Sequence, residues 1–251
     1  MQILIKKATI LCPGSTYHQQ KRDIYIENGV IQKIAGNISK QANLVIDQKN
    51  LYVSTGWVDV FADFCDPGFE HKETLESGML TAAAGGYTDV FVIPNTLPGT
   101  SGKTAVEYLK NNNQLVNIHP IGAVSKNLEG KDLAEMNDMN LAGAMAFSDG
   151  KKTLQNSGLF LKALQYVKTF NGTLIEIPED KQISKNGLMH EGEVSTGIGV
   201  QGKAALAEDI HTYRNIEILR YSGSRLHLSG ISTKKSIDLI RQAKKQSLSL
   251  T

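Results

Sequence analysis

From Gly56 onward, short apolar runs alternate with amphipathic stretches, and this alternation constrains the fold more than any other feature. Residues 58–64, 89–93, 117–124, 143–147, 173–177, 225–231 and 247–251 are expected strands. Residues 74–84, 103–111, 157–170, 201–222 and 233–246 are expected helices. Apolar strands that alternate with helices form parallel sheets covered on both faces. Seven of them in about 190 residues favour a (β/α)8 barrel over a doubly wound sheet. No glycine-rich phosphate loop of the GxGxxG or GxxxxGK kind follows any strand, which weakens the nucleotide-binding alternative. A barrel needs eight strands to close, and seven would leave two unpaired edges. The expectation is therefore a barrel incomplete at its C-terminus, in a natural chain that continues past Thr251.

The first 54 residues differ in pattern. Residues 3–11, 23–27, 30–34 and 43–47 are rich in Ile and Val, with Asn28-Gly29 between two of them. Asn-Gly is the strongest short hairpin signal, because both residues tolerate positive φ. The expected organisation is a small β-sandwich-like subdomain over 1–54 and a (β/α) barrel carrying strands 1 to 7 over 55–251.

Composition narrows the function. Of 251 residues, 27 are basic and 25 acidic, giving a net charge of +2. The charges are interspersed, so neither nucleic acid nor an anionic membrane surface is an expected partner. No segment approaches the roughly 20 apolar residues of a membrane span. Met1–Lys7 places its lysines after its apolar residues, the reverse of a secretory signal. Two cysteines, Cys12 and Cys65, stand far apart, which suits a reducing compartment. The cytoplasm is the expected location.

In barrels, chemistry sits at the C-terminal ends of the strands. The first strand leads into Pro67-Gly68-Phe69-Glu70-His71-Lys72-Glu73-Thr74. The second ends in Ile93-Pro94-Asn95-Thr96 and the fourth in Ala146-Phe147-Ser148-Asp149. Ile177-Pro178-Glu179-Asp180, His190-Glu191-Gly192-Glu193-Val194-Ser195-Thr196 and Leu226-His227-Leu228-Ser229-Gly230-Ile231-Ser232-Thr233 follow. In order and spacing these motifs resemble those of the dihydroorotases, metal-dependent cyclic amidohydrolases, across essentially the whole chain.

The resemblance implies a TIM-type barrel of the amidohydrolase kind. It also exposes what is missing. The family's first strand carries a His-x-His pair, and those positions hold Phe61 and Asp63. The arginine that grips the substrate carboxylate is replaced by Cys65. Asp149 matches a metal-binding aspartate, whereas Ile177 and Gly230 stand where the family has ligand histidines. Asn95 matches a residue that contacts substrate in the family.

Residues i and i+2 of a strand share one face, so a His-x-His pair can converge on one metal. Phe61, Ile177 and Gly230 offer no donor, leaving Asp63 and Asp149, and catalytic zinc usually takes three protein ligands. Two carboxylates facing each other without a cation would repel, or one would bind a proton. The remaining histidines offer no obvious substitute. His227 is an odd number of residues from Gly230 and is expected to pack or hydrogen-bond, as is His119. His71 is expected to position its loop, and His18 and His211 to lie at the surface. Glu179 with Asp180, and Glu191 with Glu193, are expected to shape loops, and Cys65 has no histidine placed to activate it.

The expectation is thus a catalytically inactive dihydroorotase-like protein with no cofactor and no catalytic residue. Some ligand-poor relatives of the family associate with aspartate transcarbamoylase, so the resemblance implies a structural or regulatory role beside that enzyme in pyrimidine biosynthesis. A homo-oligomer is expected. Two alternatives stay open: an active dihydroorotase or related hydrolase with a rearranged zinc site, and a sensor that binds a ligand in the old pocket.

Overall fold

A computed structural model describes residues 1–112 and 115–251, which divide into two compact units, Met1–Trp57 and Val58–Thr251. The first is built on one mixed sheet. Strand β1 (Gln2–Leu11) pairs antiparallel with β2 (Lys21–Glu27), which pairs antiparallel with β3 (Val30–Ala35). The short strands β4 (Leu44–Ile46) and β5 (Tyr52–Ser54) add to β1 in parallel. Asn28 and Gly29 take φ of 52° and 78° between β2 and β3, the paired positive values that an Asn-Gly hairpin supplies. Buried Asp23 pins this sheet by accepting from Lys6 Nζ at 2.9 Å and from the N–H groups of Lys7 and Ile38 at 2.8 and 2.9 Å.

The second unit alternates strand and helix. In chain order its elements are β6 (Trp57–Ala62), α1 (Leu75–Ala84), β7 (Tyr87–Val92), α2 (Lys103–Asn111) and β8 (Asn117–Gly122). Then come α3 (Met136–Ala142), β9 (Ala146–Phe147), α4 (Ser157–Thr169), β10 (Leu174–Glu176) and α5 (Lys181–Ser184). The chain continues through β11 (Met189–His190), α6 (Glu193–Gly197), β12 (Gly202–Lys203), α7 (Ala205–Ser222), β13 (Leu226–Leu228) and α8 (Lys234–Lys245). The sheet order is β13-β10-β9-β8-β7-β6, a curled parallel half-barrel.

Two expectations need correction here. The seventh strand, expected over 247–251, pairs only from Ser249, where Leu226 and Leu228 N–H donate to Ser249 and Thr251 O and Thr251 N–H to Leu226 O in parallel; Ser247 at φ 59° turns the chain just before it. A helix absent from the sequence reading, α3, lies between β8 and β9.

The strands in the middle of the sheet bury both faces, whereas edge strand β6 leaves Trp57, Val58 and Val60 exposed. On one side Phe147, Leu174, Leu226 and Leu228 pack with helix residues such as Phe160 and Leu219 in the main core. On the other, Phe61 and Phe91 pack against Ile93, Ile121, Ala146 and Ile175. Among the described residues no helix is long and apolar enough to cross a membrane.

Side chains set the helix starts, and these starts carry the loops over the strand ends. Thr74 caps α1, accepting from Ser77 N–H at 3.2 Å, while buried Asp66 accepts from Leu75 N–H at 3.1 Å and from Tyr108 Oη–H at 2.8 Å. Thr74→Ala should cost about 1 kcal/mol of stability, read as a lower urea midpoint at unchanged slope. An unchanged midpoint would show that Asp66 alone holds this end.

Candidate functional site

The strand ends of β6, β7 and β9 meet through a network of polar side chains. Asp149 is buried, and its Oδ1 accepts from the N–H groups of Val124 and Ser125, both at 2.9 Å. Its Oδ2 accepts from the Ser125 hydroxyl. Burial pushes the Asp149 carboxyl above its usual range, against the pull of those donors. The carboxylate is thus spent on the loop after β8 rather than presented to a shared cavity.

Asn95 is committed in the same way. Its Nδ2 donates to Asp149 O at 3.2 Å, and its Oδ1 accepts from Lys151 N–H at 2.8 Å. Gly150 lies between them at φ 61°, and a Cβ there would stand 1.8 Å from Asn95 Oδ1, so the turn requires glycine. Lys151 then reaches back and its ammonium pairs with Asp63, whose Oδ1 accepts from Cys65 N–H at 3.2 Å.

Asp63 and Asp149 do not face each other without a cation: a lysine compensates the first and backbone donors hold the second. Lys151 escaped the sequence reading, although a glycine directly after Asp149 signals a turn that sends the next side chain back.

The other matched positions are apolar. Phe61 belongs to the packed layer with Ile93, Ile121, Ala146 and Ile175. Ile177 and Gly230 are neighbours, since a Cβ at 230 would lie 3.5 Å from Ile177 Cγ2. Gly230 has φ 68°, a left-handed conformation that side chains rarely adopt.

Burial pushes the Cys65 thiol up, and nearby Asp63 adds to the effect, so its environment suppresses the thiolate. Among the described residues, no group of three or more His, Cys, Asp or Glu side chains is placed to hold a metal ion. The residues at the family's ligand positions do not fit a catalytic zinc.

The histidines fall into different settings. His119 Nε2 lies 2.8 Å from Asp89 Oδ1 and its ring stacks on Phe91, while His227 Nδ1 lies 2.9 Å from Thr251 Oγ1. His71 is exposed with its ring edge-on to Phe69, and it is Glu70 that ties the loop by accepting from Gly68 N–H at 2.8 Å. His18, expected at the surface, is half-buried, its Nδ1 accepting from Cys12 N–H at 3.2 Å. His211 is also no surface residue. It is buried on the inner face of α7, and burial together with Arg214 pushes its imidazole down to about 4.

Glu176 and Glu179 show how position decides a carboxyl's state. Glu176 points into the helix layer, accepts from Leu154 N–H at 2.8 Å and is pushed up to about 8 by burial. Burial also acts on Glu179, but the ammonium groups of Lys181 and Lys203 outweigh it and hold that carboxyl at about 2.

This contrast yields a pH dependence. Unfolded Glu titrates near ~4.3, so above that value folded Glu176 keeps a proton the unfolded chain releases, and stability falls as pH rises to about 8. His211 opposes this only below its ordinary ~6.5, where the unfolded chain holds the extra proton and stability falls as pH drops towards about 4. Between pH ~6.5 and ~8, above the window of His211, the Glu176 carboxyl should cost the protein roughly 2 kcal/mol. Glu176→Gln should flatten that interval in urea titrations, and an equally steep loss in the variant would refute the assignment.

Hydantoinases are among the solved structures with this architecture. The L-hydantoinase (dihydropyrimidinase) from Arthrobacter aurescens superposes with a TM-score of 0.81 at 20% identity, over 99% of this chain and 57% of that one. A D-hydantoinase gives 0.77 at 20% identity, over 100% of this chain and 56% of the other. At such identity the likeness establishes the fold, a TIM-barrel type.

Sequence places the chain more narrowly. Residues 51–236 match the profile of the family described as Dihydro-orotase-like, and the chain belongs to that family. The dihydroorotase of Syntrophus aciditrophicus is 38% identical over 257 residues, and that of Pelotomaculum thermopropionicum 37% over 253. Each match takes in 100% of this chain but only 60% and 59% of the relative, so the chain spans about three fifths of their length.

Proposed function

We propose that this protein is a non-catalytic member of the dihydroorotase-like family, acting as a structural or regulatory partner of aspartate transcarbamoylase in pyrimidine biosynthesis. The observation that carries the first half is the occupation of the strand ends. Phe61 is packed into the apolar layer, Asp149 is saturated by Val124 and Ser125, and Asp63 is held by Lys151. Ile177 and Gly230 in addition offer no donor, and among the described residues no cluster of three His, Cys, Asp or Glu side chains stands ready for a metal. The scaffold is kept while the chemistry is gone, which favours a role exercised through a protein surface.

A binding role of this kind needs roughly 1,200–2,000 Å² of complementary interface. Mixed with the aspartate transcarbamoylase of the same organism, the protein should elute with it as one larger species on a sizing column. It should also raise that enzyme's melting temperature, because a partner that binds only the native state stabilises it. Separate elution at tens of micromolar would reject the partnership.

One observation favours a second reading, hydrolysis of a cyclic amide such as dihydroorotate. The curated relatives, 34–38% identical, carry the name dihydroorotase. That reading requires zinc held by residues outside the family's positions, and metal content decides between the two.

A further inference from the structure

We propose that the outward face of α7, flanked by α4 and α8, is the docking surface for a protein partner that presents apolar side chains among carboxylates. The inference rests on the partner-binding function and names the surface that function would use.

An ordinary outer helix turns its apolar stripe to the core and its polar side to water. In α7 the polarity is reversed. At 3.6 residues per turn, positions 206, 210, 213, 217 and 221 fall on one side of the helix. Leu206, Ile210, Tyr213 and Tyr221 on that side are between 43% and 77% exposed, whereas Asp209, His211, Thr212 and Asn215 are buried. Single exposed apolar residues need no explanation, but a row of four along one helix marks a contact surface. Two of the four are tyrosines, which are enriched in interface cores because each covers a large apolar area and keeps a hydroxyl for a partner.

The flanks decide what kind of partner fits. Helix α7 packs between α4 and α8. Helix α8 starts where Thr233 Oγ1 donates to Asp209 at 2.6 Å and ends where Arg220 donates to Gln246 at 2.7 Å, so the two run side by side. The carboxylates of this face are already engaged: Glu217 by Arg220, Asp238 by Arg241, and Glu208 and Asp209 by Thr233. Lys162 and Lys168 of α4 and Lys234, Lys235, Lys244 and Lys245 of α8 are exposed. Among the described residues, none of the six has a carboxylate within ion-pair distance. A second copy laid on this face about a two-fold axis would set lysines against lysines, and like charges repel. A surface with carboxylates around an apolar centre is complementary instead. The extent also suffices. The 18 residues of α7 span about 27 Å and three helices side by side ~30 Å, close to the ~800 Å² that each partner gives to a stable interface.

The test uses the whole chain with the aspartate transcarbamoylase of the same organism, and calorimetry to measure affinity. Ile210→Asp and Tyr213→Asp should each weaken the complex by at least ~10-fold, the loss expected for residues at the centre of an interface. Tyr213→Lys should do less harm than Tyr213→Asp, because a lysine suits a partner that bears carboxylates. Leu80→Asp, at an exposed apolar position of α1, should leave affinity unchanged. Raising salt from about 0.1 M to about 1 M should weaken the native complex several-fold, as screening shortens from ~10 to ~3 Å. Circular dichroism confirms that each variant folds. A native complex unaffected by Ile210→Asp and Tyr213→Asp overturns the docking face and leaves the partnership standing. No native complex at all rejects the partnership and this inference with it. Affinity indifferent to salt, or equal damage from Tyr213→Lys and Tyr213→Asp, overturns the acidic partner. A dimer of the protein alone that Ile210→Asp dissolves gives the face to a second copy and overturns the proposal.

Discussion

Asp149→Ala should cost the protein about 3–5 kcal/mol of stability, close to unfolding a domain of ordinary stability. The substitution removes the acceptor of two buried N–H groups, those of Val124 and Ser125, and of the Ser125 hydroxyl. Each buried donor left alone forfeits its desolvation cost. Asp149→Asn keeps one acceptor oxygen and should cost less than half as much. The effect should be the same with chelator or with added zinc. A metal-binding aspartate would behave differently, with little loss in the metal-free protein and a large loss of zinc-dependent stability. Denaturant midpoints measured with and without zinc separate the two.

The second large effect comes from reinstating the missing histidines. A variant carrying Phe61→His, Asp63→His, Ile177→His and Gly230→His should be at least ~3 kcal/mol less stable than the native chain, and it should not hydrolyse dihydroorotate. Position 230 alone carries a strain of about 1–2 kcal/mol, because its φ of 68° excludes most side chains. Position 61 loses an aromatic ring from a packed layer and gains a polar one. Asp149 would remain turned towards Val124 and Ser125, and Cys65 would still lack a guanidinium to bind a carboxylate. Thermal unfolding and a hydrolysis assay check both halves. A variant of native stability that turns over dihydroorotate would mean that only the histidines were wanting.

Much of this arrangement was legible from the residues alone. The parallel strands stand out because their runs are apolar and the central ones are buried on both faces, and the Asn28-Gly29 hairpin because few pairs accept two positive φ values. The seventh strand was started two residues early, since the residues of 247–251 cannot reveal that the chain turns at Ser247. Helix α3 was missed because seven residues, Asn- and Asp-bearing, give too few turns for a period to show.

The site was legible in its losses and not in its replacements. Absent histidines are visible in the sequence. An ion pair between Asp63 and Lys151, 88 residues apart, is not. His211 misled for a related reason: the buried face of α7 includes Asp209, His211, Thr212 and Asn215, so polarity there hid the inward side.

The most direct test of the central claim is zinc content and dihydroorotate hydrolysis measured on the same gently purified sample. The account predicts well under one zinc per chain, lost to a mild chelator, and no hydrolysis above background with zinc restored. A full, chelator-resistant equivalent of zinc accompanied by turnover would contradict it and establish an active hydrolase with a rebuilt metal site.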